Sequence, residues 1–248
     1  MTQTIVIKLT GHRIDEPDYL ATFAQTIAEM SQPVIIVHGG GKEISSLMNE
    51  LGMQPTYVEG LRVTDEAAMA VVTMVLCGTV NKRLVHYLLE AGMDAQGISG
   101  VDRGLITAQK LQHSEVDYGL AGEVVSVRGE VLTQMLQVGI TPVVSPVSGG
   151  IAQHYNVNGD HVAGAIADAV NAEKIIFLSN VEGVLVDNEV VANLTPEQTQ
   201  AYITDGTIYG GMIPKVEMAL HALESGVPTA VITNLTGLQT HGGTQFTA

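Results

Sequence analysis

The stretch Val34-Ile-Ile-Val-His-Gly-Gly-Gly-Lys-Glu-Ile-Ser45 joins a short apolar run to three consecutive glycines and then to a helical pattern. An apolar run of this length, without alternation, is typical of a strand that is buried on both faces. A glycine turn that opens a helix exposes backbone N–H groups at the positive end of the helix dipole, which favours an anion. A glycine turn is also expected where a strand and the following helix pack closely together, without any ligand. The stretch therefore predicts a parallel α/β sheet and leaves open whether the glycines serve a ligand.

Apolar strands and helical patterns alternate along the rest of the chain. Strands are predicted at residues 4–9, 33–38, 141–145, 174–178 and 228–232, the last as another parallel strand. Helices are predicted at residues 19–30, 42–51, 65–91, 129–138, 160–172, 195–203 and 211–225, with short β-like pieces at 94–127. This alternation predicts an α/β fold, an open αβα sandwich with a mostly parallel central sheet, in a single domain over residues 1–248.

The charge balance excludes several classes of partner. The chain has 11 Lys+Arg against 26 Asp+Glu and a formal net charge of -15, so we expect neither a nucleic-acid partner nor an anionic membrane surface. The apolar pattern at 65–91 is long enough to span a membrane, but Asn81, Lys82 and Arg83 at its centre are costly in hydrocarbon. Cys77 is the single cysteine and the N-terminus lacks a signal-peptide pattern, which favours a cytoplasmic protein.

Better-known glycine turns do not fit the quoted stretch. A dinucleotide-binding turn places a third small residue where Ile44 stands, and a Walker A loop needs Ser or Thr where Glu43 follows Lys42. His38 and the three glycines match the oxyanion loop of some esterases, but those enzymes also need a G-x-S-x-G elbow. The nearest serine pattern, around Ser99, lacks the final glycine.

A few scarce charges lie in unusual places. Lys8 lies inside an apolar strand, and Lys215 lies in the first turn of a predicted helix, where a cation opposes the helix dipole. Arg62 directly precedes the long helix. Asp160 is suited either to cap the helix that follows it or to orient the lysines. Each placement has an ordinary structural explanation, but their combination favours an anionic ligand.

Six segments, taken in order, resemble the amino acid kinase family. They are Ile7-Lys-Leu-Thr-Gly11, Val37-His-Gly-Gly-Gly41, Gly60-Leu-Arg-Val-Thr-Asp65, Asn156-Val-Asn-Gly-Asp160, Leu178-Ser-Asn-Val-Glu-Gly183 and Gly210-Gly-Met-Ile-Pro-Lys-Val216. Within the family they are most similar to the enzymes that phosphorylate N-acetyl-L-glutamate in arginine biosynthesis. The resemblance implies the amino acid kinase fold, with an acetylglutamate-binding N-terminal lobe at residues 1–172 and an ATP-binding C-terminal lobe at 173–248.

The resemblance also implies how the transferred group is held. Lys8 and Lys215 would stabilise the transferring γ-phosphoryl group, and Asp160 would hold both lysines in position. A carboxylate that attacks phosphorus needs no general base, so catalysis would consist of alignment and charge neutralisation. The cofactors would be ATP and Mg²⁺, with the metal held by phosphates and water rather than by the protein.

Further roles concern the two substrates. Gly40 and Gly41 would present N–H groups near the substrate and phosphoryl oxygens, with Gly11 assisting. Arg62 and Asn156 would bind the α-carboxylate and the acetamido end of acetylglutamate. The residues that would border the adenine and ribose are Asn180, Val181, Glu182, Gly183, Val184, Leu185, Thr207, Ile208 and Tyr209. The histidines His38, His154 and His161 show no metal-ligand spacing and are interpreted as structural.

Two positions depart from the family's pattern and keep alternatives open. Thr10 stands where the family has a glycine, and Asn180 stands where it commonly has an aspartate. Asn180, together with the stretch Cys77-Gly-Thr-Val-Asn-Lys-Arg-Leu-Val85, also resembles related kinases of aminoadipate or glutamate carried on an acidic protein, although a chain of net charge -15 suits such a partner poorly. Other amino acid kinases, acting on carbamate, aspartate, glutamate or UMP, and a non-catalytic sensor of small ligands are the remaining alternatives.

The resemblance further implies assembly through the long apolar helix at 65–91. This region pairs with its symmetry mate in the family, so we expect a twofold homodimer. Relatives that arginine inhibits carry an additional N-terminal helix, whereas here the first strand begins within a few residues of Met1. We therefore expect a dimer that arginine does not inhibit.

Overall fold

The computed structural model describes residues 3–11 and 13–247. The strands are β1 Ile5–Leu9, β2 Val34–His38, β3 Tyr57–Val58, β4 Leu61–Arg62, β5 Ala95–Ser99, β6 Ile106–Lys110, β7 Ala121–Val127, β8 Thr141–Ser145, β9 Val147–Gly149, β10 His154–Val157, β11 Lys174–Leu178, β12 Leu185–Val186, β13 Glu189–Val190, β14 Asn193–Leu194, β15 Thr229–Thr233 and β16 Thr244–Thr247. The helices are α1 Pro17–Ala28, α2 Gly41–Glu50, α3 Glu66–Thr73, α4 Asn81–Glu90, α5 Gly129–Gln137, α6 Gly159–Ala169, α7 Pro196–Thr204, α8 Ile213–Glu224 and α9 Leu235–Thr240.

One eight-stranded sheet forms the centre of the molecule, in the order β14-β16-β15-β11-β1-β2-β8-β5. The strands from β15 to β5 are parallel to their neighbours, whereas β16 runs antiparallel to β15. The predicted α/β class and the mostly parallel sheet are confirmed. Because β1 pairs with both β2 and β11, strands from both predicted lobes belong to the same sheet. The division into lobes stays a prediction.

Apolar side chains fill both faces of the sheet, which explains the unbroken apolar strands. Ile5, Ile7 and Leu9 of β1 pack into one core with α1 and α4, whereas Val6 packs into the second core with α6 and α8. Side chains alternate along a strand, so Lys8 lies on the same face as Val6. This alternation directs the ammonium of Lys8 toward the helices α6 and α8.

The helix predicted at 65–91 is one continuous helix with an unusual centre. A π-helical segment, Met74–Val80, lies between α3 and α4, and the Asp65 side chain caps the start by accepting from the Ala68 N–H at 2.7 Å. The helix Glu66–Glu90 is long and apolar enough to cross a membrane by length and composition, but half of its most apolar window is buried inside the fold. Val72, Leu76 and Val80 of this helix pack into the core of the fold.

Several short elements differ from the sequence prediction. The hairpins β3-β4 and β12-β13 have two-residue strands, too short to show periodicity. The strand β16, beyond the one predicted as last, returns antiparallel after the short helix α9. Of the two roles suggested for Asp160, the helix cap belongs to another residue: the Asn158 side chain caps α6 and accepts from the Asp160 N–H at 2.8 Å. The carboxylate of Asp160 is thereby left for another contact.

Candidate active site

Two neighbouring cavities open at the carboxyl ends of β1 and β2. The larger has a volume of about 520 Å³ and is lined by Lys8, Asp160 and Lys215, among others. The smaller has a volume of about 230 Å³ and is lined by Arg62 and Asn156, among others. Five residues line both cavities, namely Gly39, Gly40, Gly41, Asn158 and Gly159. The glycine turn and the start of α6 therefore form a common wall, and a group could pass between two ligands there.

The packing of the glycine turn explains why side chains are absent at most of its positions. A Cβ on Gly11 would lie 2.8 Å from the Gly40 nitrogen, so the loops after β1 and β2 touch through their backbones. A Cβ on Gly40 would lie 2.6 Å from the Leu76 side chain of the π-helical segment. A Cβ on Gly41 would meet no atom within 4 Å. Close packing thus accounts for Gly11 and Gly40, and Gly41 faces open space beside both cavities.

The buried cation of the larger cavity is Lys8. Its ammonium lies 2.7 Å from a carboxylate oxygen of Asp160, and the two side chains are 8% and 27% exposed. Asp160 lies in the first turn of α6, and because Asn158 caps that helix, the carboxylate is free to pair with Lys8. The contact that was predicted between Lys8 and Asp160 is present.

The second predicted catalytic lysine, Lys215, lines the same cavity from a different element. Lys215 lies in the first turn of α8, and its ammonium donates to the Gly211 carbonyl at 3.0 Å. Asp160 forms an ion pair with Lys8 but none with Lys215. The predicted contact of Asp160 with Lys8 is therefore present, and its contact with Lys215 stays a prediction.

Arg62, at the end of the hairpin β3-β4, is the buried cation of the smaller cavity and is 7% exposed. Its guanidinium donates to the Gly41 carbonyl at 3.0 Å, to the Ser45 hydroxyl at 2.9 Å and to the Tyr57 hydroxyl, and it lies over the Tyr57 ring. Burial lowers the pKa of Arg62. Among the residues that the structure describes, none of its partners is a carboxylate, so the positive charge remains available to an anionic ligand.

Asn156 lies on the small barrel formed by β10, β7, β6 and β9. Its amide donates to the Thr64 hydroxyl at 3.1 Å, and the side chain lines the smaller cavity that Arg62 also lines. The prediction that both residues share one substrate site is therefore compatible with their positions.

The residues predicted to border adenine and ribose do not line either cavity in this conformation. Val184 and Ile208 are buried in the hydrophobic core, so their side chains are not accessible to a ligand. Gly183 is also buried, and Tyr209 is 75% exposed. The remaining members of this set are half-buried or exposed and lie at the surface: Asn180, Val181, Glu182, Leu185 and Thr207. Ser179, one position before the predicted turn, does line the larger cavity.

Sequence reasoning missed two residues that shape the smaller cavity. Tyr57 pairs across the hairpin with Arg62, and Glu59 and Gly60 at its turn both have positive φ. Two short β-like pairs joined by a two-residue turn that ends in glycine are typical of a β-hairpin. This signal could have shown that Tyr57 lies opposite Arg62. Asn158 was overlooked because Asp160, two positions later, is an equally suitable cap by residue type.

The three histidines interpreted as structural have different surroundings. His38 is fully buried, and burial lowers its pKa to about 4. Burial lowers the pKa of His161 as well, and this residue lines the smaller cavity. His154 is exposed at the start of β10. Within residues 3–11 and 13–247, no group of three or more His, Cys, Asp or Glu side chains is arranged to hold a metal ion.

Comparison with known proteins places this geometry in a family. The sequence profile described as the amino acid kinase family matches residues 3–234. A protein named acetylglutamate kinase from Roseiflexus castenholzii is 48% identical over 239 residues, which cover 96% of this chain and 92% of that protein. A protein of the same name from Chloroflexus aurantiacus is 46% identical over 249 residues, which cover 100% of this chain and 98% of that protein.

Solved structures show the same fold. The protein smu.665 from Streptococcus mutans UA159 superposes with a TM-score of 0.83 at 31% identity, and the match covers 100% of both chains. The fold is therefore shared over the whole length of the chain.

Proposed function

Because the chain belongs to the amino acid kinase family, we propose that it transfers the γ-phosphoryl group of ATP to the γ-carboxylate of N-acetyl-L-glutamate. The products are N-acetyl-L-glutamyl 5-phosphate and ADP, and the reaction belongs to arginine biosynthesis. The name shared by relatives at 46% and 48% identity supports this choice of substrate. The observation that carries the proposal is the common wall of the two cavities, formed by residues 39–41 and 158–159.

The smaller cavity suits an N-acylated amino acid with a free carboxylate. Arg62 supplies a buried guanidinium, and a guanidinium can grip a carboxylate through two parallel hydrogen bonds. The amide of Asn156 supplies a neutral polar group for the acetamido end. In this arrangement the γ-carboxylate of the substrate extends toward Gly41, whose carbonyl already accepts from Arg62 at 3.0 Å.

The larger cavity suits a triphosphate. Gly40 and Gly41 at the start of α2 direct backbone N–H groups to an anion, and the helix dipole adds to their effect. Lys8 and Lys215 face the same space from different elements and neutralise the equatorial oxygens during transfer. Mg²⁺, held by the phosphates and water, would supply additional charge neutralisation. The attacking group is already a carboxylate, so the site requires no general base.

The function is tested by trapping the acyl phosphate with hydroxylamine while ATP is consumed. Acetylglutamate, glutamate, aspartate and carbamate are compared as acceptors at equal concentration, together with an acceptor attached to a carrier protein. We expect turnover with acetylglutamate to exceed that with every other acceptor. Preference for another acceptor would assign the chain a different substrate within the family, and absence of any ATP-dependent product would favour a non-catalytic sensor.

We also propose a cytoplasmic homodimer that is assembled through the helix Glu66–Glu90. Met74 and Leu89 on this helix are 61% and 50% exposed, which is unusual for large apolar side chains. The strand β5, which contacts α4, lies at the edge of the main sheet on the same side. Sedimentation of the wild type and of Met74→Glu tests this assembly. We expect a dimer for the wild type and a weakened dimer for the variant, and a monomeric wild type would contradict the proposal.

A further inference from the structure

His38 is the last residue of β2 and directly precedes the glycine turn. The side chain is fully buried, and both ring nitrogens have partners: Nδ1 lies 2.9 Å from the Gly39 carbonyl, and Nε2 lies 3.2 Å from the amide nitrogen of Asn81. A carbonyl oxygen can only accept, so Nδ1 carries the proton and donates to Gly39. Nε2 then accepts from Asn81. This arrangement requires a neutral ring, in agreement with a pKa that burial lowers to about 4.

The contact with Gly39 fixes more than one atom of the turn. The Gly39 carbonyl and the Gly40 N–H belong to one planar trans peptide group and point in opposite directions. Holding the carbonyl on one side therefore directs the Gly40 N–H to the other side. The Gly39 N–H is held in turn by the Leu9 carbonyl at 3.0 Å. The Gly40 nitrogen faces the loop at Gly11, which lines the larger cavity.

The backbone N–H groups of Gly40 and Gly41 are available to a ligand. In the described part of the chain, neither Gly40 nor Gly41 donates its backbone N–H to another group. The first N–H groups of a helix have no partner within the helix. Both glycines line both cavities, so their N–H groups lie where the phosphoryl group would pass.

The position of the His38 ring is set by Asn81, which is 1% exposed. The Asn81 amide also donates to the Val143 carbonyl at 2.9 Å, and its oxygen accepts from the Lys82 ammonium at 3.1 Å. A Cβ on Gly97 would lie 1.9 Å from that oxygen, so the glycine in β5 makes room for the Asn81 side chain. The ring of His38 is thus held by Asn81 of α4, and Asn81 is held in turn by β8 and fits against Gly97 of β5.

We propose that His38 is a positioning residue for phosphoryl transfer, which acts through the Gly39 carbonyl to aim the Gly40 N–H at the transferring group. This inference rests on the proposed kinase function and assigns a specific task to a histidine that the sequence alone indicates is structural. A backbone N–H aimed at developing negative charge stabilises the transition state more than the ground state. His38 therefore affects kcat more strongly than either KM.

Two substitutions separate this task from simple packing. In His38→Asn the amide nitrogen can occupy the place of Nδ1 and still donate to Gly39. In His38→Gln the amide reaches the place of Nε2 and keeps the contact with Asn81, but the donor to Gly39 is lost. We expect His38→Gln to lose roughly 100-fold in kcat, as removal of one transition-state donor does in other enzymes. His38→Asn should retain kcat within about tenfold of the wild type by the same measure, and both KM values should change little in either variant.

The controls distinguish failure of this inference from failure of the proposed function. His86→Gln, on the exposed face of α4, is the matched control for the substitution itself. The amide signal of Gly40 in [¹⁵N]glycine-labelled protein should shift in His38→Gln and not in His38→Asn, and this readout needs no turnover. Equal kcat losses in the two variants of an active enzyme, or an unshifted Gly40 signal in His38→Gln, would overturn the inference. An inactive wild type would instead remove the proposed function.

Discussion

The two sides of the larger cavity are built differently. On the β1 side, Lys8 is buried and paired with Asp160, and the glycine turn beside it packs against Gly11 and Leu76. On the α8 side, the Lys215 ammonium donates to a carbonyl of its own segment, that of Gly211, four residues earlier. The first side is held by contacts between distant parts of the chain and is arranged before a ligand binds. The second side depends on the ligand to bring its cation into place, so the two sides should respond differently to substitution.

The largest effect should come from removing the buried lysine. Lys8→Met should lose roughly 10²- to 10³-fold in kcat, because a transition-state contact to the phosphoryl oxygens disappears. Lys215→Met should also lose kcat by orders of magnitude, but without a change in Tm, because its hydrogen bond lies at the surface. Steady-state kinetics and thermal unfolding of both variants check these expectations.

The matched control for these lysines is Lys174→Met, at the start of β11, where the side chain does not line either cavity. This control should keep wild-type kcat. If Lys215→Met also kept wild-type turnover, Lys215 would have no part in the transfer step. If Lys215→Met lowered Tm, the contrast between the two sides of the cavity would be wrong.

Acid should weaken the prearranged side through His38. Its pKa falls from the ordinary value of 6.5 to about 4, chiefly because of burial, with additional effects of Lys8 and Lys82. The unfolded chain therefore takes up a proton near pH 6.5, whereas the folded protein resists it until about pH 4. The stability that a neutral His38 provides is complete above pH 6.5 and is lost as the pH falls toward 4, by about 3 kcal/mol over that window.

This loss can be measured by urea unfolding of the wild type and His38→Asn between pH 7 and pH 4. Other groups titrate in both proteins, so the difference between their pH dependences isolates His38. We expect the wild type to lose the larger amount of unfolding free energy. If the unfolding free energies of the two proteins fell in parallel with pH, the His38 ring would be accessible to protons in the folded state. The prearrangement would then be weaker than the contacts suggest.

The sequence predicts the cations of the site better than the contacts that hold them. Lys8, the glycine turn and Arg62 stand out because each contradicts local expectations, with a cation in an apolar strand or glycines at a strand end. The partner of His38 could not be predicted, because Asn81 lies 43 positions away on a helix whose π-helical centre leaves no mark in the apolar pattern. Val184 was placed at the nucleotide on family resemblance, but tertiary packing buries its side chain.

Removal of the guanidinium in the smaller cavity should change substrate affinity rather than turnover. Arg62→Lys should raise the KM for acetylglutamate roughly 10- to 100-fold, because a hydrogen bond to a charged group contributes about 1.5–3 kcal/mol and an ammonium cannot bind a carboxylate bidentately. The KM for ATP should stay nearly constant. Steady-state kinetics with each substrate varied in turn provides the measurement.

Arg83→Lys is the matched control, because Arg83 pairs with Glu43 at 2.8 Å outside both cavities. It should leave both KM values unchanged. Arg62 also donates to the Gly41 carbonyl, so equal losses in kcat and in both affinities would mean that Arg62 mainly holds the glycine turn. The role of Arg62 would then be to position the glycine turn rather than to recognise the substrate.

The smallest effect should come from a third lysine at the larger cavity. Lys42 lines this cavity, and its ammonium lies 2.7 Å from Asp15, but the two side chains are 58% and 35% exposed. An ion pair in water is weak, which sets a low limit on its effect, so Lys42→Ala should lower the unfolding free energy only slightly. The same limit on a water-exposed charge contact allows at most a roughly fivefold rise in the KM for ATP.

Arg128→Ala removes another exposed ion pair, with Glu130, away from both cavities, and provides the reference for a change in stability alone. If Lys42→Ala resembles Arg128→Ala in unfolding and differs from it only in the KM for ATP, Lys42 contacts the triphosphate weakly through water. A loss of kcat comparable to that of Lys8→Met would contradict this expectation. Exposure would then be a poor guide to function at this site, because a solvated lysine would act as strongly as the buried one.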